Sequence, residues 1–329
     1  MQNPRIGMIG LGLMGLGIAT NIVKKGFALT AMEHPGNQPL GDLIAAGAKT
    51  APTAQALAQA SDIVILCVNG SAQVEAILAG ETGLLAGLRE GMTVIDCSTS
   101  LPASTLQVAA TLAQRGVRFM DAAMTRTPNE AMQGRLNLLV GGDAALLEDA
   151  RPLLATFAEN IVHAGAVGAG HRMKLLHNFV SLGSVTLLAE AAACARRSGI
   201  DDAVFVEVLE KGGGWGAALE RLKPYLLRGE SSGLRFSMGN ALKDLGYYAE
   251  MAQETGAHDA AAQVFQQAQG CAFGQIQRSP RLQQQTPVDV REVPHSQDRP
   301  RQLGLCGPSF FVEGGGVVCG DAEQIVERC

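Results

Sequence analysis

The fold of this chain is decided by the stretch RIGMIGLGLMGLGIATNIVKKGF, Arg5–Phe27. It begins as a short apolar strand, turns through three spaced glycines and continues as a helix that ends near Gly26. Strand, Gly-x-Gly-x-x-Gly turn and helix in this order form a dinucleotide-binding fingerprint, with helix amides facing a pyrophosphate. We therefore predict cofactor contacts from the turn, at Gly10, Gly12, Leu13, Met14 and Gly15. The alternative is a glycine-rich loop without a ligand.

A second strand, FALTAME, follows the first helix and ends at Glu33. An acidic residue about 20 positions past the glycines accepts hydrogen bonds from the adenosine ribose hydroxyls. A carboxylate there repels a 2′-phosphate, so we predict NAD in preference to NADP. The alternative is a surface glutamate in a turn before Pro35.

Apolar strands continue to alternate with amphipathic helices as far as a helix starting at Pro102. This order predicts an α/β fold with a doubly wound parallel sheet. Ligands bind at the carboxyl ends of such strands, which nominates Val68, Asn69, Ser98 and Thr99 as cofactor-lining residues. The alternative role for Ser98, Thr99 and Ser100 is to cap the following helix.

The segment RFMDAAMTRTPNEAMQGRLNLLVGGD predicts a strand to Met120, a polar loop and a strand over Leu136–Val140. Within the loop, Thr125, Arg126 and Thr127 offer two hydroxyls and a guanidinium, a suitable site for an anionic substrate group. The alternative for the arginine is an ion pair with a nearby carboxylate.

The stretch GAGHRMKLLHN, Gly168–Asn178, opens a helix of at least six turns that is otherwise almost wholly apolar. Lys174 and Asn178 are four residues apart and share one helix face, whereas His177 points elsewhere. The alternative for the lysine is a snorkelling side chain at a helix end.

Four motifs give the chain a family resemblance. They are GLGLMG, DAAMTRT, GAGHRMKLLHN and FSMGNALKDLGYYAE. In this order and spacing the chain resembles the β-hydroxyacid dehydrogenases, the group of 3-hydroxyisobutyrate dehydrogenase and tartronate semialdehyde reductase, itself similar to 6-phosphogluconate dehydrogenase. The resemblance extends from Arg5 to about Gln269.

The resemblance implies a Rossmann-type domain over residues 1–165 and an all-α C-terminal domain with a long central helix over residues 166–270. It implies that Lys174 is the catalytic acid/base and that Asn178 holds the reacting end of the substrate. Thr125 stands for the family serine that binds the substrate carboxylate, and Lys243 for a lysine near the nicotinamide. Trp215 lies in a loop near where the family closes its pocket, with a purely structural role equally open. An ion pair with Asp244 is the alternative for Lys243.

Two positions depart from the family pattern. Arg126 and Thr127 stand where the family has two glycines, and this pair looks like that of sulfolactaldehyde reductases, whose arginine serves an anionic head group. His177 replaces the first of two family asparagines. The change at His177 implies altered hydrogen bonding around the site only, whereas Arg126 implies a small, strongly anionic substrate.

The bulk composition excludes several other classes. The net charge of −5 and the absence of a basic tract argue against a nucleic-acid partner. The seven cysteines lack metal-ligand spacing and fit buried free thiols of a cytoplasmic protein. Polar residues interrupt the apolar run Leu175–Ala195, so we predict no membrane span. So long an apolar helix predicts a homodimer or homotetramer.

Residues 271–329 change in character, being rich in Gln, Arg and Pro without apolar periodicity. We predict a disordered extension or a shifted reading frame, with the family's last helix missing.

Together these features predict an NAD-dependent oxidoreductase that interconverts a small 3-hydroxy acid and its semialdehyde. A sulfolactaldehyde or tartronate semialdehyde reductase is the alternative within the family. A non-catalytic dinucleotide-binding sensor is the alternative outside catalysis, and an imine reductase-like use of the scaffold is a further one.

Overall fold

The structure is a computed structural model that describes residues 3–231, 234 and 236–268. The chain divides into two compact units, one up to Leu176 and one from His177. The predicted tail, residues 271–329, lies outside the described residues.

The first unit is built on one eight-stranded sheet with the strand order β3-β2-β1-β4-β5-β6-β7-β8. All strand pairs are parallel except β6 with β7. The strands are β1 (Ile6–Ile9), β2 (Leu29–Met32), β3 (Lys49–Ala51), β4 (Ile63–Leu66), β5 (Thr93–Asp96), β6 (Arg118–Thr125), β7 (Leu136–Gly141) and β8 (Ala158–Gly165). The helices are α1 (Leu13–Lys24), α2 (Gly41–Ala45), α3 (Ala54–Gln59), α4 (Ser71–Leu78), α5 (Leu84–Gly87), α6 (Pro102–Ala113), α7 (Pro128–Gln133) and α8 (Ala144–Leu154). The predicted doubly wound α/β fold is confirmed.

Each face of the sheet has its own apolar core. Along β4, Ile65 belongs to one cluster, and Val64 and Leu66 belong to the other. Successive strand residues point to opposite faces, so a strand covered on both sides must be apolar throughout. Helices cover both faces of the sheet, so the ends of the strands are the part left open. The glycine turn follows β1 at such an end.

Two predictions about the middle of the chain need correction. Strand β6 does not stop at Met120 but continues to Thr125, and its neighbour β7 is antiparallel to it. The connection over residues 126–135 is too short for a parallel crossover, which needs about a dozen residues or more. The antiparallel partner then supplies hydrogen bonds to residues 121–125, which extends the strand and brings Thr125 onto it.

The second unit is helical. A long helix, α9 (Ala169–Arg197), begins in the first unit and continues into the second. It is followed by α10 (Asp202–Glu210), α11 (Ala217–Arg228), α12 (Met238–Thr255) and a helical stretch over residues 260–268. The predicted all-α second part with a long helix is confirmed.

The core of the second unit packs around α9. Ala189 and Ala192 are fully buried beside residues of α10 and α11. Phe179 stacks on Tyr248 of α12 with ring centroids 4.1 Å apart. Among the described helices α9 is long and apolar enough to span a membrane, a profile that a core helix shares.

The cysteines of the described part are free thiols. Cys97 is buried, and burial raises the pKa of the Cys67 thiol to about 12. Cys194 on α9 is exposed, so the expectation of a buried thiol is wrong there. The four tail cysteines lie outside the described residues.

Candidate active site

The glycine turn after β1 has the shape of a pyrophosphate cradle. Gly10 has φ +88°, and a Cβ on it would lie 2.2 Å from the Cys67 carbonyl oxygen. A Cβ on Gly15 would lie 1.9 Å from the Gly10 carbonyl oxygen, so helix and strand approach too closely for any side chain. A Cβ on Gly12 would instead meet open space, with nothing within 4 Å.

Gly12 is also the N-cap of α1, and no side chain caps that helix. The first amides of a helix need acceptors and favour anions. Open space over uncapped amides fits the phosphates of a dinucleotide. Leu13 is exposed and Met14 half-buried in the same turn.

Glu33 directly follows β2 and is exposed. Its amide donates to the Ala51 carbonyl oxygen at 2.9 Å, which fixes the strand end. The next loop folds back on the glycine turn, because Asn37 Oδ1 accepts from the Leu11 amide at 3.3 Å and Nδ2 donates to the Met32 carbonyl oxygen at 2.8 Å. Sequence reasoning missed Asn37, for which an amide residue just after Pro-Gly was the available signal.

The loops after β4 and β5 are joined to each other. The Val68 amide donates to Ser98 Oγ at 3.1 Å, and the Ser98 amide donates to Asp96 Oδ1 at 2.9 Å. Asn69 is exposed and Thr99 is half-buried beside them.

The N-cap of α6 is Leu101, without a side-chain cap bond. The alternative that the three hydroxyl residues cap this helix is therefore wrong. The carboxyl ends of β1, β4 and β5 lie together, since a Cβ on Gly10 would come within 2.9 Å of Val68 Cγ1.

Thr125 is the last residue of β6 and is buried. Its Oγ1 accepts a hydrogen bond from Asn137 Nδ2 at 3.0 Å, and Asn137 Oδ1 accepts from Asn160 Nδ2 at 2.8 Å. Because the hydroxyl accepts from Asn137, it keeps its own proton for donation. Thr125 is thus a fixed donor at the end of the strand.

Thr127 is the N-cap of α7. Its hydroxyl accepts from the Asn129 amide at 3.2 Å and donates to the Glu130 carboxylate, completing a capping box. The hydrogen bond from Thr127 lowers the pKa of the Glu130 carboxyl. Thr127 therefore has a clear structural role, whatever it contributes to a substrate.

Arg126 has φ +80°, the sole left-handed residue other than glycine in the described part of the chain. Its guanidinium pairs with Glu159 and also donates to the Arg135 carbonyl oxygen. This hydrogen bond lowers the pKa of the Glu159 carboxyl. The ion pair is the alternative that the sequence left open for this residue.

The backbone of Arg126 has a conformation that glycine adopts freely. The left-handed conformation costs a residue with a Cβ about 1–2 kcal/mol. The turn is kept here although a large side chain is attached to it. A costly conformation that persists is a reason to look for function in that side chain.

Lys174 and Asn178 lie one turn apart on α9 and are both buried, at 9% and 5% exposure. Lysine is rarely so buried, because taking an ammonium out of water is unfavourable. His177 is half-buried, with Nδ1 3.0 Å from Asn178 Oδ1. The two predicted reacting residues therefore share a buried helix face.

Asp244 on α12, which the sequence suggested only as an ion-pair partner of Lys243, anchors Asn178 as well. The carboxylate is 2% exposed and accepts from Asn178 Nδ2 at 2.6 Å through Oδ2. Its Oδ1 accepts from Lys243 Nζ at 2.7 Å, and this Nζ lies 4.7 Å from the Tyr247 ring centroid. The structure thus brings Lys243 and Asn178 to one carboxylate, and the signal was the Lys-Asp pair itself.

Asp121 on β6 is a second carboxylate to which the sequence alone assigned no role. It is fully buried and accepts from the amides of Gly168 at 2.6 Å and His171 at 2.8 Å. A negative charge at the amino end of a helix is favoured by the unpaired amides there. Asp121 therefore fixes the start of the helix that carries Lys174.

Trp215 lies in the loop between α10 and α11 and is 68% exposed. Its assignment to the substrate pocket stays a prediction.

Two family profiles together match most of the chain. Residues 5–165 match the profile of the NAD binding domain of 6-phosphogluconate dehydrogenase. Residues 168–278 match the profile described as NAD-binding of NADP-dependent 3-hydroxyisobutyrate dehydrogenase.

Individual relatives agree with these profiles. An NAD-dependent L-serine dehydrogenase of Pseudomonas aeruginosa is 36% identical over 221 residues, 67% of this chain and 74% of that protein. A 3-sulfolactaldehyde reductase of Escherichia coli is 33% identical over 251 residues, 76% of this chain and 83% of that protein. The solved 3-hydroxyisobutyrate dehydrogenase of Mycobacterium tuberculosis with L-serine superposes with a TM-score of 0.75 at 25% identity, covering 83% of this chain and 94% of that one. The chain therefore belongs to the β-hydroxyacid dehydrogenase family, as its four motifs predicted.

Proposed function

We propose that this protein is an NAD-dependent dehydrogenase that interconverts a small anionic 3-hydroxy acid and its semialdehyde. The observation that carries the proposal is the pair Lys174 and Asn178, buried one turn apart at the head of α9. An alcohol can lose a hydride only as its hydroxyl proton leaves, so a base must stand beside the oxygen. Lys174 is that base, and in the reverse direction its ammonium donates the proton.

Asn178 holds the reacting oxygen. One hydrogen of its Nδ2 is taken by Asp244, and the other is available for the substrate. In this role the amide orients the hydroxyl toward the lysine and donates to the oxygen as negative charge develops on it.

The residues that would hold the cofactor are Gly10, Gly12, Leu13, Met14 and Gly15 at the pyrophosphate, Glu33 at the adenosine ribose, and Val68, Asn69, Thr99 and Lys243 toward the nicotinamide. When bound, the nicotinamide supplies the hydride acceptor. The exposed carboxylate of Glu33 at the end of β2 supports NAD over NADP.

The substrate's far end carries an anion. Thr125 supplies a hydroxyl donor from the end of β6, while Arg126 and Thr127 supply a guanidinium and a second hydroxyl. The carboxylate of 3-hydroxyisobutyrate, D-glycerate or serine suits these groups. A sulfonate, as in a sulfolactaldehyde reductase, is the second candidate, favoured by the costly backbone of Arg126. Trp215 is proposed to cover this end.

We further propose a cytoplasmic homodimer or homotetramer. Val180 and Leu187 on α9 and Val204 and Val208 on α10 are exposed at 64%, 58%, 51% and 62%. A second copy would bury them, as apolar surface in water favours association. Sedimentation of the purified full chain would test this, and a monomer at micromolar concentration would contradict it.

Turnover by a Lys174→Ala variant tests the function. NADH formation would be followed with 3-hydroxyisobutyrate, D-glycerate, L-serine and a sulfonate analogue, each with NAD⁺ and NADP⁺. We expect kcat to fall by about two orders of magnitude or more, while NADH binding persists, since the lysine acts on the proton. The exposed Lys211→Ala is the matched control and should not change kcat.

Near-normal turnover in Lys174→Ala would remove the lysine as acid/base. NADH binding by the wild-type protein without turnover of any substrate would favour the sensor instead. Reduction of cyclic imines in place of semialdehydes would favour the imine reductase reading.

A further inference from the structure

His171 lies one turn before Lys174 on α9, and its ring is fully buried. Nδ1 lies 2.7 Å from Thr105 Oγ1, and Nε2 lies 3.9 Å from Asp96 Oδ2. Nε2 has no hydrogen-bond partner within the described part of the chain. A buried polar atom in this state is unusual and calls for a physical explanation.

The carboxylate that faces this nitrogen is also incompletely bonded. Asp96 is 1% exposed and ends β5, directly before the loop assigned to the cofactor. Its Oδ1 accepts a hydrogen bond from the Ser98 amide at 2.9 Å, and among the described residues its Oδ2 accepts a long one from Ser100 Oγ at 3.4 Å. A ring nitrogen without a partner and a weakly bonded carboxylate oxygen, both buried, therefore face each other.

The hydroxyl of Thr105 limits where the ring proton can be. This hydroxyl has one proton and two acceptors in reach, the Leu101 carbonyl oxygen at 3.0 Å and His171 Nδ1 at 2.7 Å. If the proton goes to Nδ1, the neutral ring carries its own proton on Nε2. If the hydroxyl proton goes to the Leu101 carbonyl oxygen instead, Nδ1 must donate to Thr105 Oγ1. Nε2 then has a proton only when the ring is charged.

A bare Nε2 would set a lone pair against a buried carboxylate, with unfavourable electrostatics in a medium of low dielectric. Both remaining arrangements put a proton on Nε2 and direct it at Asp96. A shift of less than an ångström would turn the 3.9 Å separation into a hydrogen bond. Catalytic contacts are often long before the ligands are bound.

The main chain of the same residue is held from another strand. The His171 amide donates to Asp121 Oδ2 at 2.8 Å, beside the bond from the Gly168 amide. Asp121 stands on β6 and Asp96 on the neighbouring β5. His171 is therefore bonded to β6 through its amide and faces β5 with its ring, and Lys174 lies one turn later on the same helix.

We propose that His171 is a positioning residue for Lys174, carrying a proton on Nε2 that is directed at Asp96 and sets the helix against the cofactor loop. This inference rests on the proposed function only in that Lys174 is taken as the acid/base. Asp96 and Thr105 complete the device, and none of the three needs to touch substrate.

Two substitutions test the contacts of the two ring nitrogens separately. In His171→Gln the side-chain amide nitrogen reaches the place of Nε2, so the contact with Asp96 is kept and Thr105 turns to Leu101. In His171→Asn the amide reaches the place of Nδ1, so the contact with Thr105 is kept and Asp96 loses its partner. The exposed His258→Asn serves as the control outside the site.

We expect His171→Asn to lower kcat by about 10- to 100-fold, because small displacements of a catalytic group are costly. His171→Gln should recover most of that loss, and the NADH dissociation constant should stay within about twofold in both. His258→Asn should match the wild type. Equal kcat in the Asn and Gln variants, whether high or low, would overturn the proposal.

A measurement on the wild-type protein covers the case in which either variant fails to fold. The ¹⁵N chemical shifts of histidine-labelled full-length protein with NADH bound distinguish a protonated Nε2 from a bare one, with the resonance assigned by its loss in whichever variant folds. A protonated Nε2 supports the proposal, and a bare Nε2 overturns it. This outcome does not depend on turnover, so it stays separate from failure of the proposed dehydrogenase activity.

Discussion

The side-chain amide of Asn178 is held in one orientation by Asp244. Asn178 Nδ2 donates to Asp244 Oδ2 at 2.6 Å, and Asn178 Oδ1 lies 3.0 Å from His177 Nδ1. Because both ends of the amide have hydrogen-bond partners, the second Nδ2 hydrogen points in a defined direction. Helix spacing alone could not predict this direction. The carboxylate also accepts a hydrogen bond from Lys243 at 2.7 Å, so four polar side chains of the second unit form one network.

Asp244→Asn should lower kcat/KM by about 10- to 100-fold. The substituted amide can no longer act as a charged acceptor for both partners, and hydrogen bonds to charged groups contribute about 1.5–3 kcal/mol each. Steady-state kinetics with the preferred hydroxy acid would measure the loss. A thermal melt would show whether the fold survives it, because removing a buried charge partner is destabilising.

Asp259→Asn is the matched control for this substitution. Asp259 also accepts from two side chains, Gln253 at 2.9 Å and Gln263 at 2.8 Å, but it is partly exposed at the surface instead of buried. The Asp259→Asn variant should leave kcat/KM unchanged. An equal loss in the two variants would mean that general damage to the unit, not the orientation of Asn178, lowers activity.

The sequence was sufficient for the order of elements and for the glycine turn, because these depend on local pattern. A Cβ on Gly10 or Gly15 would lie less than 3 Å from a backbone carbonyl oxygen, so only glycine fits at these positions. The glycines in the sequence therefore already indicate the close contacts. The helix spacing of Lys174 and Asn178 likewise follows from 3.6 residues per turn.

Contacts between residues far apart in the sequence could not be predicted in the same way. The extension of β6 to Thr125 depends on an antiparallel neighbour, and the pairing of Arg126 with Glu159 depends on β8, 33 residues further on. Asp121 and Asp244 were visible inside their motifs, yet their function as acceptors exists only once strand and helix meet. Burial at these positions is a property of the fold, not of the local sequence.

Arg126→Gly and Arg126→Ala should differ in stability but not in substrate affinity. Both remove the guanidinium, so both should raise KM for an anionic substrate about 10-fold or more with little change in kcat. Alanine keeps a Cβ at φ +80°, whereas glycine adopts this conformation freely. The Gly variant should therefore be more stable than the Ala variant by about 1 kcal/mol.

Urea unfolding and initial-rate kinetics on the two variants would check this prediction. A fall in kcat with KM unchanged would contradict a binding role for Arg126. Equal stability would mean that the loop relaxes when the ion pair with Glu159 is lost.

Glu33→Gln should weaken the preference for NAD⁺ over NADP⁺. The amide keeps hydrogen-bonding capacity for the ribose but no longer repels a 2′-phosphate, so the ratio of kcat/KM values should fall about 10-fold or more. Exposed Glu81→Gln is a matched control. A wild-type protein that already prefers NADP⁺, or a ratio unchanged by the substitution, would contradict the assignment of Glu33.

Asp62→Asn should destabilise the protein at neutral pH, and its difference in stability from the wild type should disappear in acid. Asp62 accepts from Arg5 at 2.8 Å and Arg89 at 2.5 Å, which joins the residues before β1 and β4. The hydrogen bond from Arg5 holds the pKa of the Asp62 carboxyl well below its usual range. Because the folded pKa is depressed, the stabilisation is present above the unfolded value of about 3.9 and disappears as the pH falls toward the folded value.

Melting temperatures of the wild type and the variant between pH 7 and about 3.5 would test this sign. The pair is partly exposed and screened by solvent, so the loss at pH 7 should be no more than about 1 kcal/mol. Asp149→Asn, which removes a single exposed contact with Arg118 at 3.2 Å, should change the melting temperature less. A deficit in Asp62→Asn that stays constant down to the lowest pH would show that the charge of Asp62 is not what stabilises the junction.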